Sequence, residues 1–273
     1  MNKKFLYALA VCFIPFVLSA EDVISEIPTP EGTAPHVEST PEPVVDPNAQ
    51  AFRITLGVDY TTVGMKQANN SMNDDYNIKL FGSGILTTLD LGIAIYPFLM
   101  AGPKVGYLYC FAAGSEHNYP GPINTKTEMN AALVPIEAGA ILRFELPGTS
   151  VAVSAGAYAG AGLAFISNNV DVTNGASQKA SYVQRFDGLG FTGELTAALE
   201  IKLIKGVDLN INGGYRLAYV QNVKQSEDVQ YSFDSITYTA VGSKGDVMQD
   251  AANTDVPFDF SGMNIGIGIS LGL

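Results

Sequence analysis

From Ala51 onward the chain alternates apolar and polar residues with a period of two, the signature of a strand with two unlike faces. Eight such stretches predict eight strands. In FRITLGVDY (52–60), Phe52, Ile54, Leu56, Val58 and Tyr60 oppose Arg53, Thr55, Gly57 and Asp59. In GILTTLDLGIAIY (84–96), Ile85, Leu89, Leu91, Ile93 and Ile95 oppose Asp90, Gly92 and Ala94. AGPKVGYLYCF (101–111) sets Val105, Tyr107, Tyr109 and Phe111 against Lys104, Gly106 and Cys110. NAALVPIEAGAILRFEL (130–146) sets Val134, Ile136, Ala138, Leu142 and Phe144 against Glu137, Gly139, Arg143 and Glu145. The remaining four are VAVSAGAYAGAGLAF (151–165), GLGFTGELTAALEIKL (188–203), VDLNINGGYRLAY (207–219) and the closing SGMNIGIGISLGL (261–273).

The eight apolar faces carry no Asp, Glu, Lys or Arg. The opposite faces carry Arg53, Asp59, Asp90, Lys104, Glu137, Arg143, Glu145, Glu194, Glu200, Lys202, Asp208 and Arg216. Two architectures produce such sorting. A soluble sandwich or lipocalin-like barrel turns the apolar face inward. An outer-membrane barrel turns it to lipid and fills the lumen with the polar face. Three features select the second. The polar face is rich in glycine, which suits a crowded interior. Aromatics gather at strand ends, with Tyr60, Tyr109, Phe111, Phe165, Phe191 and Tyr219 at one end and Phe52, Tyr96 and Phe144 at the other, as two interfacial girdles require. Connections also alternate in length. Short turns fall at 96–103, 146–150 and 203–207, where Gly148 and Gly206 supply positive φ. Long polar loops are expected at 61–83, 112–128, 167–187 and 220–258, the last holding an alternating run, VQYSFDSITYTAV (229–241), that predicts a hairpin. This predicts an all-β fold, an eight-stranded antiparallel up-and-down transmembrane β-barrel over 51–273, with both of its ends on the periplasmic side.

The segment before the barrel changes the picture in two ways. Residues 1–20 run Lys3 and Lys4, an apolar stretch from Phe5 to Leu18, then Ser19 and Ala20, the order of a secretory signal peptide. Residues 21–50 hold seven acids, six prolines and no Lys or Arg, which predicts a disordered, extended linker. That segment carries about half of the acidity behind the formal net charge of −12 once the leader is removed. No basic footprint for nucleic acid is present. After removal of the leader Cys110 is the remaining cysteine, so no intramolecular disulfide forms.

With its strand, turn and long-loop order, its LVPIEAGAILRFELP stretch and its terminal strand, the chain resembles the small eight-stranded outer-membrane barrels of Gram-negative-type bacteria, those without a water-filled pore. In that family the last strand carries an insertion signal read by the barrel-assembly machinery. The resemblance places the signal on Gly268, Leu271 and Leu273, with Leu at the end where Phe is usual.

Candidate chemistry is sparse. Ser115, Glu116 and His117 adjoin in an expected loop, whereas a hydrolytic triad needs groups converging from a rigid frame. Oxygen-rich runs at 73–77 and 168–175 lack the spacing of a calcium loop and read as loop tips. The expected protein is therefore non-enzymatic, without cofactor or metal. It is an outer-membrane anchor or scaffold whose long loops make surface contacts or adhesion, and whose inward charges pair with one another. The alternative is a narrow channel or transporter for small solutes or small apolar molecules. Expected partners are outer-membrane lipid, the assembly machinery at the last strand, an extracellular ligand at the loops, and the cell wall or a periplasmic protein at the linker.

Overall fold

The computed structural model describes residues 51–70, 76–118, 123–174, 178–233, 236–249 and 253–273. The signal peptide and linker expected over 1–50 lie outside the described residues. Among the described residues, thirteen strands and one short helix follow the order β1 (Phe52–Thr62), α1 (Lys66–Asn70), β2 (Tyr76–Lys79), β3 (Ser83–Tyr96), β4 (Leu99–Asn118), β5 (Ile123–Glu145), β6 (Val151–Asn174), β7 (Gln178–Ile204), β8 (Val207–Val220), β9 (Lys224–Gln225), β10 (Val229–Phe233), β11 (Ile236–Gly242), β12 (Phe258–Asp259) and β13 (Gly262–Gly272). Eight of these strands, β1, β3 to β8 and β13, pair antiparallel with their neighbours into a ring. Its seam joins the first and last strands, with Arg53 opposite Gly272 and Tyr60 opposite Ile265. Closure pairs the backbone groups of every strand on both sides, which leaves no unsatisfied edge in lipid.

Burial follows the alternation and inverts that of a soluble barrel. On the seam Leu56, Val58, Ile265, Ile267 and Ile269 are exposed, while Arg53, Asp59, Asn264 and Ser270 are buried. The outward apolar run on β5, from Ala132 to Phe144, covers about 41 Å at about 3.4 Å per residue, or about 29 Å of depth at a tilt near 45°, a match to the hydrocarbon core. Tight turns close one end. Tyr96 pairs with Leu99 across a two-residue turn. Gly148 and Gly206 have φ of 72° and 77°, as their turns demand. The rings of Tyr96, Phe98 and Phe144 stack at this rim, with centroids 5.9 and 6.5 Å apart. Pro103 lies inside β4, where pairing with β3 stops at Ala101 and resumes at Lys104, because proline has no N–H to give the ladder.

The other end departs from expectation. Most of 112–128 and 167–187 continues as strand rather than loop. β4 to β7 run on to Asn118, Ile123, Asn174 and Gln178. Outward residues above the apolar band turn polar, with Asn130, Glu128 and Lys126 on β5 and Ser167, Asn169 and Asp171 on β6. Alternation in the backbone thus outlasts the hydrophobic signal, and β5 and β6 rise about 22 Å beyond the band on the same geometry. The expected hairpin at 229–241 is present as β10 and β11, with Tyr231 opposite Tyr238.

Candidate functional site

The interior has two layers of unlike chemistry. Nearest the tight turns, Arg53 on β1 reaches Glu200 on β7 through Nη1, 3.0 Å from Oε2 and 3.1 Å from Oε1. Its Nη2 donates to Asn210 Oδ1 at 3.2 Å and Ser270 Oγ at 2.8 Å. Arg143 on β5 donates to the same Glu200 at 2.7 Å, to Glu145 at 2.6 Å, and pairs with Asp208 at 3.5 Å. One carboxylate held by two guanidiniums ties three strands of the ring together, β1, β5 and β7. Glu145 and Lys202 stand at the exposed rim rather than within the lumen, since their strands turn there.

One level deeper, Lys104 Nζ lies 2.8 Å from Glu194 Oε2 and 4.6 Å from the centroid of the Tyr158 ring. Asn264 Nδ2 donates to the other Glu194 oxygen at 2.9 Å. Tyr158 donates its hydroxyl to Asp90, and Asn212 Nδ2 donates to Asp59 at 2.6 Å. The pairing is crossed. In register Lys104 adjoins Glu137, and Glu194 adjoins Arg216. Lys104 instead spans the lumen to Glu194. Arg216, fully buried, donates to Thr61 Oγ1 at 3.0 Å and to the Phe260 carbonyl at 3.2 and 3.3 Å. Both Glu137 oxygens lack a protein hydrogen-bond partner of normal geometry, although Glu137 is buried. The space left among these groups is a cavity of about 80 Å³ lined by Asp59, Asp90, Lys104 and Tyr158 among others. That holds a few waters and no solute of metabolite size.

Beyond Arg216 the interior becomes apolar. Leu86, Leu108, Leu133, Cys110, Ala164 and Val220 face inward, and Met65, Phe81, Val223, Val256, Phe258 and Phe260 pack on them from the connecting segments. Phe258 and Phe260 are fully buried with stacked rings 6.3 Å apart. They cap the lumen after β12 adds two residues to β8. Parity could have found this layer, because Leu86, Leu108 and Leu133 share the charged parity of their strands. The side chains that partner the charges, Thr61, Asn210, Asn212, Asn264 and Ser270, carry no such signal, since any polar residue satisfies the alternation.

The other sequence candidates do not assemble. Ser115 and Glu116 are consecutive on β4, so they point to opposite faces and cannot converge. Residues 168–174 are strand, not a loop tip, and 73–75 lie outside the described residues. Among the described residues no cluster of His, Cys, Asp and Glu is arranged for a metal ion. Gly268 faces inward at the seam opposite Gly57, while Leu271 and Leu273 are exposed on its outer face.

No protein-family model matches the chain, and no curated protein matches it. Solved structures similar to it include Neisserial surface protein A, at 15% identity and a TM-score of 0.38 over 82% of this chain and 97% of that one. Ail, the attachment invasion locus protein of Yersinia pestis, is similar at 10% identity and a TM-score of 0.32, over 81% and 97% of the two chains. The outer membrane protease OmpT from Escherichia coli is similar at 5% identity and 0.32, over 82% and 97%. The assignment rests on the chain's own geometry. With a closed ring, apolar side chains outward and charge inward, the chain has the fold of a small eight-stranded antiparallel transmembrane β-barrel.

Proposed function

We propose that the protein is a non-enzymatic anchor and scaffold in the outer membrane, with both barrel termini on the periplasmic side. Its tall β4–β7 wall and the 220–258 segment would make contacts outside the cell. The observation that carries this reading is the double obstruction of the lumen. Ion pairs cross it at two levels, and an apolar cap lies above them. A conduit would need a continuous wet path, and the apolar layer under Phe258 and Phe260 offers none. Recording in planar bilayers tests the reading. A silent barrel supports the scaffold. Discrete openings that change with Glu137→Gln or Arg143→Gln would refute it in favour of a narrow channel.

Two further contacts belong to this reading. Gly268, Leu271 and Leu273 serve as the insertion signal for the assembly machinery, and deletion of Leu273 is expected to lower the outer-membrane yield. The 21–50 segment spans up to roughly 100 Å when extended, enough to reach the cell wall. Peptidoglycan co-sedimentation that is unchanged on its deletion would rule that contact out.

A further inference from the structure

We propose that a groove on the outer wall, at the end of the apolar band where β4 to β7 emerge, binds one zwitterionic phospholipid bearing a primary ammonium. The inference rests on the membrane-barrel reading and adds a ligand to it.

The groove follows from side-chain size. Ala132 on β5 lies in register between Tyr109 on β4 and Phe165 on β6. A methyl group between two rings leaves a trough of about 450 Å³ whose floor, Ala132, is 8% exposed although it faces outward. Its lower walls continue the lipid-facing surface without a break, so an acyl chain is the occupant that geometry and solvent both supply. The next outward position on β5, β6 and β7 is polar: Asn130, Ser167 and Arg185. Tyr109 donates its hydroxyl to Asn130 Oδ1 at 3.2 Å, which leaves the Asn130 amide N–H₂ as a donor to a headgroup.

The charges on the rim select the headgroup. Arg185 is exposed and pairs through Nη1 with Glu227 at 2.7 Å, while a guanidinium carries five donors. Asp187 lies two residues along the same outward face, with Lys224 opposite it in register. Two cations and two anions at one rim sum to zero. A net anionic headgroup gains from Arg185 and Lys224 but loses as much to Asp187 and Glu227. A phosphate joined to an ammonium satisfies both signs, the phosphate on the Arg185 guanidinium and the ammonium N–H on the carboxylates. A quaternary ammonium has no N–H to donate.

The test uses the full-length mature barrel folded in detergent and probed by native mass spectrometry. Phosphatidylethanolamine, phosphatidylcholine and phosphatidylglycerol of matched chains are added separately. One phosphatidylethanolamine per barrel is expected, with about tenfold tighter retention than the other two. Ala132→Phe fills the trough and is expected to abolish retention. Ala157→Phe, elsewhere on the band, is expected to leave it unchanged. Asp187→Asn is expected to erase the preference for phosphatidylethanolamine over phosphatidylglycerol. Equal retention of all three lipids overturns the proposal, as does retention that survives Ala132→Phe. The unboiled, faster-migrating gel band reports the folded barrel in every sample. Loss of lipid from Ala132→Phe with that band intact supports the groove, absence of bound lipid from the unsubstituted barrel with the band intact overturns it, and loss of the band counts against the barrel.

Discussion

Replacing Lys104 by Met tests whether the crossed ion pair is a true interior contact. Lys104 Nζ is 2.8 Å from Glu194, and the two side chains are 8% and 2% exposed. The substitution keeps the length of the aliphatic stem and removes the cation alone. Glu194 then keeps a hydrogen bond from Asn264 and, among the described residues, no cation within ion-pair distance. An uncompensated buried charge costs about 3–5 kcal/mol. Loss of the contact with the Tyr158 ring, at 4.6 Å, adds about 0.5–2 kcal/mol. Glu194→Gln is milder, because the amide oxygen still accepts from Lys104, and costs about 1–2 kcal/mol. In Lys104→Met with Glu194→Gln no buried carboxylate is stranded at that position. The double variant is therefore expected to be more stable than Lys104→Met by about 2–3 kcal/mol, a coupling of opposite sign to simple addition. The chain has no tryptophan, so the assay is urea unfolding in lipid vesicles read by the heat-modifiable gel shift, with linear extrapolation. Additive single costs, or a Lys104→Met cost under about 1 kcal/mol, would refute the reasoning and mean that water screens the pair.

Other substitutions probe the remaining layers by the same assay. Glu137→Gln is expected to leave stability unchanged or raise it, because burial penalises the charge and neither carboxylate oxygen makes a protein hydrogen bond of normal geometry. Ile267→Arg, midway along β13 and 61% exposed, is expected to cost about 2–4 kcal/mol, against about 0–1 for Leu273→Arg at the band's edge. Gly160→Val is expected to abolish the folded band, because a Cβ there would meet the Ile136 carbonyl oxygen and Glu137 Cα. Phe260→Ala opens the fully buried cap and is expected to lower stability by about 3–5 kcal/mol while the lumen charges stay paired.

Particular residues mark how far the sequence could be read. The seam was legible because Ile265, Ile267 and Ile269 alternate with Asn264, Gly266, Gly268 and Ser270, and a period of two leaves no choice of face. The turns at Gly148 and Gly206 were legible for a similar local reason, the φ each position needs. The extensions of β4 to β7 were hidden because the outward face turns polar above the membrane, while the inward face keeps only scattered apolar residues such as Met129 and Val170, so the apolar run that marks the lower strands is lost. Within the candidate site, Arg53 and Glu200 were recognised as inward charges, but nothing between them in the chain marks them as partners.

Alternation, the near absence of charge from one face and the tight-turn glycines determined the barrel, its strand order and which side meets lipid, because each is a local property of neighbouring residues. The tertiary structure alone decided who pairs with whom. Arg53 meets Ser270 across 217 residues of chain, Lys104 passes over its neighbour Glu137 to reach Glu194, and the cap folds in from two connecting segments. Those choices depend on which side chains curvature brings face to face inside a closed ring, and curvature is written in no single stretch of sequence.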